Sequence, residues 1–382
     1  MKMGSPKPIK DYALGIYDGP HATPQETEEG AIFLGIKNFT DNGQLDFSEV
    51  RHVSENELPR WTKRVTPQHG DVVFTYEATL HRYALIPEGF RGCLGRRVAL
   101  VRPDPKKADA RFLLYYFLSH EWRRVVEGFV ITGATVDRIP LEKFPDFPVQ
   151  LPKLSVQRRI ADTLTAYDDL MENNRRRMAL LEESARLLYR EWFVHLRFPG
   201  HEHTRLINGV PQGWERVPLG EVMTLQRGHD LPSQERVEGD VPIVSSSGIT
   251  GFHDKKKANA PGVVTGRYGT LGQVYYIDRD YWPLNTALYV TDFNGNPPLY
   301  ILHLLKHALE SIQSDKAAIP GLNRNVVHSM KVLCPPASLR SSFGHFAADL
   351  HRQISTLNDQ TRKLRTARDL LLPRLMSGEI EL

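Results

Sequence analysis

The densest grouping of chemically capable residues lies between positions 245 and 325. Ser245-Ser246-Ser247-Gly248, the lysines Lys255, Lys256 and Lys257, the turn Gly266-Arg267-Tyr268-Gly269 and the triplet Asn323-Arg324-Asn325 combine small, basic and amide side chains where glycine lets the backbone bend tightly. Such groups read nucleic acid: arginine offers guanine a two-donor fork, asparagine pairs with adenine, and lysine neutralises phosphate. Taken singly, Lys255 to Lys257 equally fit a solvated hairpin end and Ser245 to Gly248 an ordinary turn. The cluster carries the expectation, and its candidate DNA contacts are Ser246, Lys255, Lys256, Lys257, Arg267, Tyr268, Asn323, Arg324 and Asn325.

A second, chemically different set stands earlier in the chain. Val72 to Leu80 aligns with Val263 to Leu271 at an offset of 191, Phe112 to Leu118 with Leu299 to Leu305 at 187, and Asp137-Arg138 with Asn323-Arg324 at 186. The counterparts are Tyr76, Glu77, His81, Arg82 and Tyr83, with Arg96, Arg97 and Arg138 nearby; of these Tyr76, His81, Arg82, Tyr83, Arg97 and Arg138 are the candidate contacts. Runs such as Val72 to Phe74, Val98 to Val101, Val241 to Val244 and Val274 to Ile277 are β-branched or aromatic and bounded by Gly, Pro or Asp, so they read as strands and each half as an α+β unit.

Other chemistry fares less well. Asn296-Pro297-Pro298-Leu299 resembles the Asn-Pro-Pro-aromatic motif that grips a flipped base, but leucine removes the stacking ring. Pro103-Asp104-Pro105-Lys106 has an acid and a base in a turn, His201-Glu202-His203 reads as a polar loop, and no Gly-x-x-x-x-Gly-Lys-Ser/Thr loop occurs to hold nucleotide phosphates. No catalytic residue and no metal ligand are assigned. Cys93 and Cys334 are too few for a zinc site and read as inert thiols in a reducing compartment. A net charge of +4 leans weakly towards an anionic partner, and the lack of a long apolar span or leader-like start predicts a cytoplasmic protein.

Positioning falls to two long helices. With Pro152 set on Pro335, some forty residues align without a gap at an offset of 183. Val156, Ile160, Leu164, Tyr167, Met171, Asn174, Met178, Leu181, Ala185, Leu188 and Trp192 keep a heptad spacing, and Leu339, Phe343, Ala347, Leu350, Ile354, Leu357, Thr361, Leu364, Arg368, Leu371 and Leu375 keep the same phase. The pairing residues are Ile160, Leu164, Met171, Met178, Leu181 and Leu188 against Phe343, Leu350, Ile354, Leu357, Leu364 and Leu371. The alternative is that each stripe packs on its own domain. Ser155 and Ser338 are the predicted N-caps, Pro373 with Gly378 the predicted end of the second helix, and Phe198-Pro199-Gly200 the linker. Arg175 to Arg177 fall between seam positions and point outward.

The chain resembles the specificity subunit of type I restriction-modification systems. The resemblance is carried by Gly262-Val263-Val264-Thr265-Gly266-Arg267-Tyr268-Gly269-Thr270-Leu271-Gly272, by Gly213-Trp214-Glu215-Arg216-Val217-Pro218-Leu219-Gly220, by Leu151-Pro152 ahead of Gln157-Arg158-Arg159-Ile160-Ala161, and by Leu370 to Gly378. Tyr76-Glu77-Ala78 departs from the Arg-x-Gly turn in the first half. The resemblance implies an α+β fold with two pseudo-repeated target recognition domains separated by a long antiparallel two-helix coiled coil: residues 1–150, a spacer helix 151–198, linker and second domain 199–335, and a second helix with tail 336–382. It further implies a non-catalytic chain that reads a bipartite double-stranded DNA target and docks two methyltransferase subunits and two restriction/translocase subunits. It binds no cofactor itself; S-adenosylmethionine, ATP and Mg are expected on those partners. The other readings are a helical protein scaffold without specific DNA reading and an adenine methyltransferase.

Overall fold

The computed structural model describes residues 5–133, 136–267, 272–314 and 321–382. The chain forms two compact units, residues 1–173 with 360–382 and residues 174–359. In the first, a four-stranded antiparallel sheet runs in the order Ala13–Asp18, Val98–Pro103, Val72–Thr75, Tyr83–Leu85. A three-stranded sheet runs Arg51–Val53, Ala31–Leu34, Gly92–Leu94, its last pair parallel. In the second unit the orders are Thr224–Arg227, Ala287–Asp292, Gly262–Gly266, Val274–Ile277 and Gly248–His253, Val241–Ser245, Trp282–Pro283, again with the last pair parallel. Counted along the chain, both units use the same strand orders, so the duplication holds strand for strand.

The strand runs are apolar at successive positions because both faces of the larger sheet are covered. Val72 and Phe74 join Phe112, Phe117 and Trp122, whereas Val73 joins Leu34, Leu94 and Leu100 on the other side. In the second unit Val263 sides with Leu225, Leu288 and Tyr300, and Val264 with Val244 and Ile277.

Hydrogen bonds refine the correspondence. Ile139 N–H donates to Tyr76 O at 2.8 Å, and Leu322 N–H to Arg267 O at 2.8 Å. Phe144 and Val327 then donate to Pro140 O and Asn323 O, and Ile9 and Leu219 to Phe147 O and Met330 O. Ile139 and Leu322, Pro140 and Asn323, Phe144 and Val327, and Phe147 and Met330 each differ by 183, the offset of the long helices, so Asn323 matches Pro140 and not Asp137. The predicted offset of 186 there is displaced by three residues, because backbone pairing and the buried Ile139 and Leu322 set the register.

The long helices run Leu154–Tyr189, continued by a wider turn over Arg190–Val194, and Ala337–Ser377. No residue of either predicted seam is exposed. Both proposed uses of the stripes are realised. In the first unit Ile160, Ala161 and Leu164 share the lobe core with Leu371, Leu372, Leu375 and Met376; in the second Tyr189 and Phe193 meet Phe343, 5.6 and 5.4 Å between ring centres. Within each unit the two helices run antiparallel. Ser155 and Ser338 are not N-caps: the helices begin one residue earlier, with Lys153 O accepting from Val156 and Gln157 and Pro336 O from Leu339 and Arg340. Pro373 does not end the second helix, since burial of Leu375 and Met376, each 1% exposed, carries it to Ser377 before Gly378 turns left-handed at φ +77.

Each lobe is pinned to its long helix by a buried polar contact. Gln157 Nε2 donates to Lys107 O and Pro152 O at 3.1 and 2.8 Å, and its Oε1 accepts from the N–H of Asp109, the cap of helix Ala110–Leu118. In the second unit Arg340 Nη1 donates to Asn296 Oδ1 ahead of helix Pro298–Ser314. Gly344 lets Pro297 lie against the helix, for a Cβ there would meet the proline ring at 2.4 Å.

The seam arginine is also satisfied. Arg368 Nη1 lies 2.5 Å from Asp168 Oδ1, and Tyr115 OH donates to Asp168 Oδ2 at 2.6 Å. By the same offsets the counterparts in the second unit are Ala185, His351 and Leu302, smaller or differently shaped, and a cavity of about 740 Å³ opens among them. Beside it His303 is buried between Tyr189 and Phe343. Burial, with Lys306 nearby, depresses its imidazole to about 3.

Two outcomes follow. Asp168→Ala removes the partner of Arg368 Nη1, leaving the half-exposed Asp369 alone to match its charge, and lowers urea-unfolding stability by ~2–3 kcal/mol, whereas Asp168→Leu with Arg368→Leu recovers much of that loss. His303 binds a proton more readily unfolded than folded, so falling pH destabilises the second unit across the window from about 6.5 down to about 3. Between pH 7 and 5 the contribution is ~2 kcal/mol, and unfolding of His303→Gln at the two pH values shows that much less acid sensitivity.

Candidate nucleic-acid interface

In the second unit the strand ends and the start of the short helix Arg324–Ser329 enclose a cleft of about 530 Å³ lined by Arg227, Arg267, Leu288, Leu322, Asn323 and Arg324. Gly266 must be glycine here, since a Cβ would stand 2.9 Å from Ser246 O. Arg267 is fixed through its backbone, donating to Thr286 O at 3.0 Å and accepting from Leu322, and its Nη1 reaches Asn285 O at 3.2 Å. Asn323 caps the short helix, its Oδ1 accepting from Asn325 N–H at 2.9 Å; Asn323, Arg324 and Asn325 are all exposed. The structure thus brings Arg267, Asn323 and Arg324 together. Tyr268 lies outside the described residues. Arg227, 3.3 Å from Asn285 O through Nε, is a cleft residue that sequence reasoning missed; alone on its strand, it shows itself only once the strands pair.

Ser246, half-buried, and the exposed lysines Lys255, Lys256 and Lys257 lie outside that cleft. Lys256 Nζ pairs with Asp280 Oδ2 at 2.5 Å and holds that carboxyl below its usual range, while Lys257 Nζ stands 5.3 Å above the Trp282 ring. They form a basic, solvated loop end with one of three charges already matched.

The first unit corrects two candidates. Tyr76 is 5% exposed, its hydroxyl donates to Arg96 O at 2.6 Å, and burial pushes it up to about 12; Tyr83 is 1% exposed and accepts from Trp122 Nε1 at 3.0 Å. Both are core residues and cannot offer a ring to a base. The strand Val72–Thr75 buries both faces, and its aromatic neighbours go inward with it. His81 is half-buried at φ +60, with burial, ahead of Arg123, lowering its imidazole pKa. Arg82 pairs with Asp41, Arg97 Nε stands 3.5 Å from Glu77 Oε1, and Arg138 is exposed, with its backbone N–H and C=O both bonded to Ile131. The basic cleft of this unit, about 440 Å³, is lined by Lys37, Arg51, Arg96 and Arg97 with Phe33 and Glu49. Lys37, in the single helical turn Ile36–Asn38, and Arg51, the first residue of strand Arg51–Val53, stand singly, and no local pattern marks them.

The residues that suggested other chemistry are engaged in the fold. Asn296 is 5% exposed; its Nδ2 donates to Val222 O and Phe293 O at 2.8 and 3.0 Å and its Oδ1 is held by Arg340, so it has nothing left for a flipped base. Cys93 is buried, its thiol pushed up to about 12. Among the described residues no group of three His, Cys, Asp or Glu is placed to hold a metal, and no helix is long and apolar enough to cross a membrane. Asn296→Ala is expected to cost about 1–3 kcal/mol in urea unfolding by orphaning Arg340 and Val222 O.

A family model for the type I restriction modification DNA specificity domain matches residues 26–183 and 211–354. The MjaIX type I restriction enzyme specificity subunit of Methanocaldococcus jannaschii is 22% identical over 367 residues, covering 86% of this chain and 82% of that protein. The putative MjaX specificity subunit of the same organism is 27% identical over 225 residues, 56% of this chain and 51% of that one. A crystal structure of a type I restriction-modification S subunit from M. genitalium covers 97% of this chain and 95% of its own with a TM-score of 0.60 at 18% identity. That likeness concerns the fold.

Proposed function

The chain belongs to the type I restriction-modification DNA specificity family, and from that premise we propose that it is the non-catalytic subunit that reads a bipartite duplex target, one half-site per unit. The observation that supports this best is the pairing of identical strand topology with different cleft chemistry: Arg227, Arg267 and Arg324 in one unit, Lys37, Arg51, Arg96 and Arg97 in the other. Two like frames carrying unlike clefts suit two different words on one duplex. The long helices each give one half to each unit, so they count the unspecified spacer between the half-sites.

Methylation and cleavage belong to other subunits in this reading, with S-adenosylmethionine, ATP and Mg bound there. Two methyltransferase subunits dock on the outer faces of the long helices, and restriction/translocase subunits join them. Support comes from large apolar side chains left exposed on those helices: Leu170 and Leu370 in one unit, Leu180, Leu187 and Phe346 in the other.

The test is binding of the chain, assembled with its modification subunits, to a randomised duplex pool at several salt concentrations. One two-part sequence is expected to be enriched, with log affinity falling linearly as log salt rises, by about 0.9 per phosphate neutralised. Equal retention of all duplexes would instead mark a protein scaffold.

A further inference from the structure

The first strand of the second unit's larger sheet ends at its cleft, and the ladders show which residue of the first unit corresponds. Phe74 pairs with Ala99 and Thr265 with Leu288, at matching places in the two sheets. Asp18 lies opposite that same Ala99, and Arg227 opposite that same Leu288. The next residue confirms the match: Gly19 N–H donates to Val98 O and Gly228 N–H to Ala287 O, and at either glycine a Cβ would stand within 2.3 Å of a carbonyl oxygen. Backbone course is therefore shared to the end of the strand, while the side chain at its tip is a carboxylate in one unit and a guanidinium in the other.

DNA separates the two uses of such a position. Phosphates present the same charge and spacing under every half-site, so a residue that only seats the backbone has no reason to differ between duplicated frames. Base edges do differ, and the reading residues must follow them. Arg227 has the form for this. Its Nε is tethered at 3.3 Å to Asn285 O, which also receives Arg267 Nη1. Asn285 is itself held through its N–H to His229 O at 3.0 Å and its side chain to Asp230. Arg227 is exposed, and among the described residues neither Nη has a protein acceptor within hydrogen-bond distance. In the first unit Asp18 is instead enclosed by Arg64 at 2.5 Å and His21 at 3.0 Å.

Resting on the two-half-site reading, we infer that Arg227 is a specificity-determining residue of the second unit, its Nη pair donating to O6 and N7 of a guanine in that unit's half-site. The corresponding position in the first unit holds a salt-bridged carboxylate, so this contact is particular to the second half-site.

The experiment is selection from a randomised duplex pool by the chain assembled with its modification subunits, comparing wild type, Arg227→Lys and Arg227→Ala, with urea unfolding of each as a folding check. Wild type is expected to require guanine at one position of one half-site. Arg227→Lys keeps the charge but lacks the fork; with it and with Arg227→Ala, discrimination at that position falls by about five- to 150-fold, the other half-site being unchanged. Unaltered preference at every position, or a uniform loss across all sequences with a shallower salt slope in Arg227→Ala, overturns the assignment and leaves the two-half-site reading standing. Failure of the wild type to enrich any two-part sequence overturns both.

Discussion

A helix of 36 or 41 residues with a largely apolar stripe along its length cannot be left in water, and covering those stripes is the constraint on which the rest of this structure depends. Each unit meets it in the same way, enclosing half of each long helix in a core shared with its own sheet and lobe helix. Ile160 and Leu164 beside Leu371 and Leu375 in one unit, and Tyr189 and Phe193 beside Phe343 in the other, tie lobe to helix. Since the lobe core and the helix seam are one cluster, the orientation of the cleft is fixed by the same contacts that stabilise the helix.

Duplication has preserved geometry while exchanging chemistry. Asp109 with Gln157 and Asn296 with Arg340 join lobe to helix at equivalent places through different polar groups. Arg368, Asp168 and Tyr115 fill a groove whose counterpart, around Ala185, His351 and Leu302, stays open. Such sites tolerate replacement provided each buried polar atom finds a partner or is removed with it. The unpaired case is the costly one, and Asn296 shows how completely a residue that looks catalytic can be absorbed into that accounting.

The same logic bears on the clefts. Their rims hold charges in exposed or half-exposed positions, where solvent keeps desolvation cheap and substitution leaves the core alone. A frame of this kind can acquire a new set of base contacts without refolding, and the contrast between Asp18 and Arg227 at one strand tip is the outcome to be expected.

Periodicity and repetition determined a great deal from sequence alone: the doubled α+β plan, the strand runs, the two long helices and the membership of their seams, because heptad spacing and two-sided apolar runs are local consequences of burial. Arg267, Asn323 and Arg324 were legible as one cluster because glycine turns and capping residues mark them locally. Tertiary structure decided what no local signal encodes. It buried Tyr76 and Tyr83, because a strand covered on both faces draws its aromatic neighbours inward; it shifted the register before the helices by three residues, because backbone pairing outweighs the likeness of Asp137-Arg138 to Asn323-Arg324; and it brought Arg227, Lys37 and Arg51 to the clefts, because residues distant in sequence become neighbours only when strands pair.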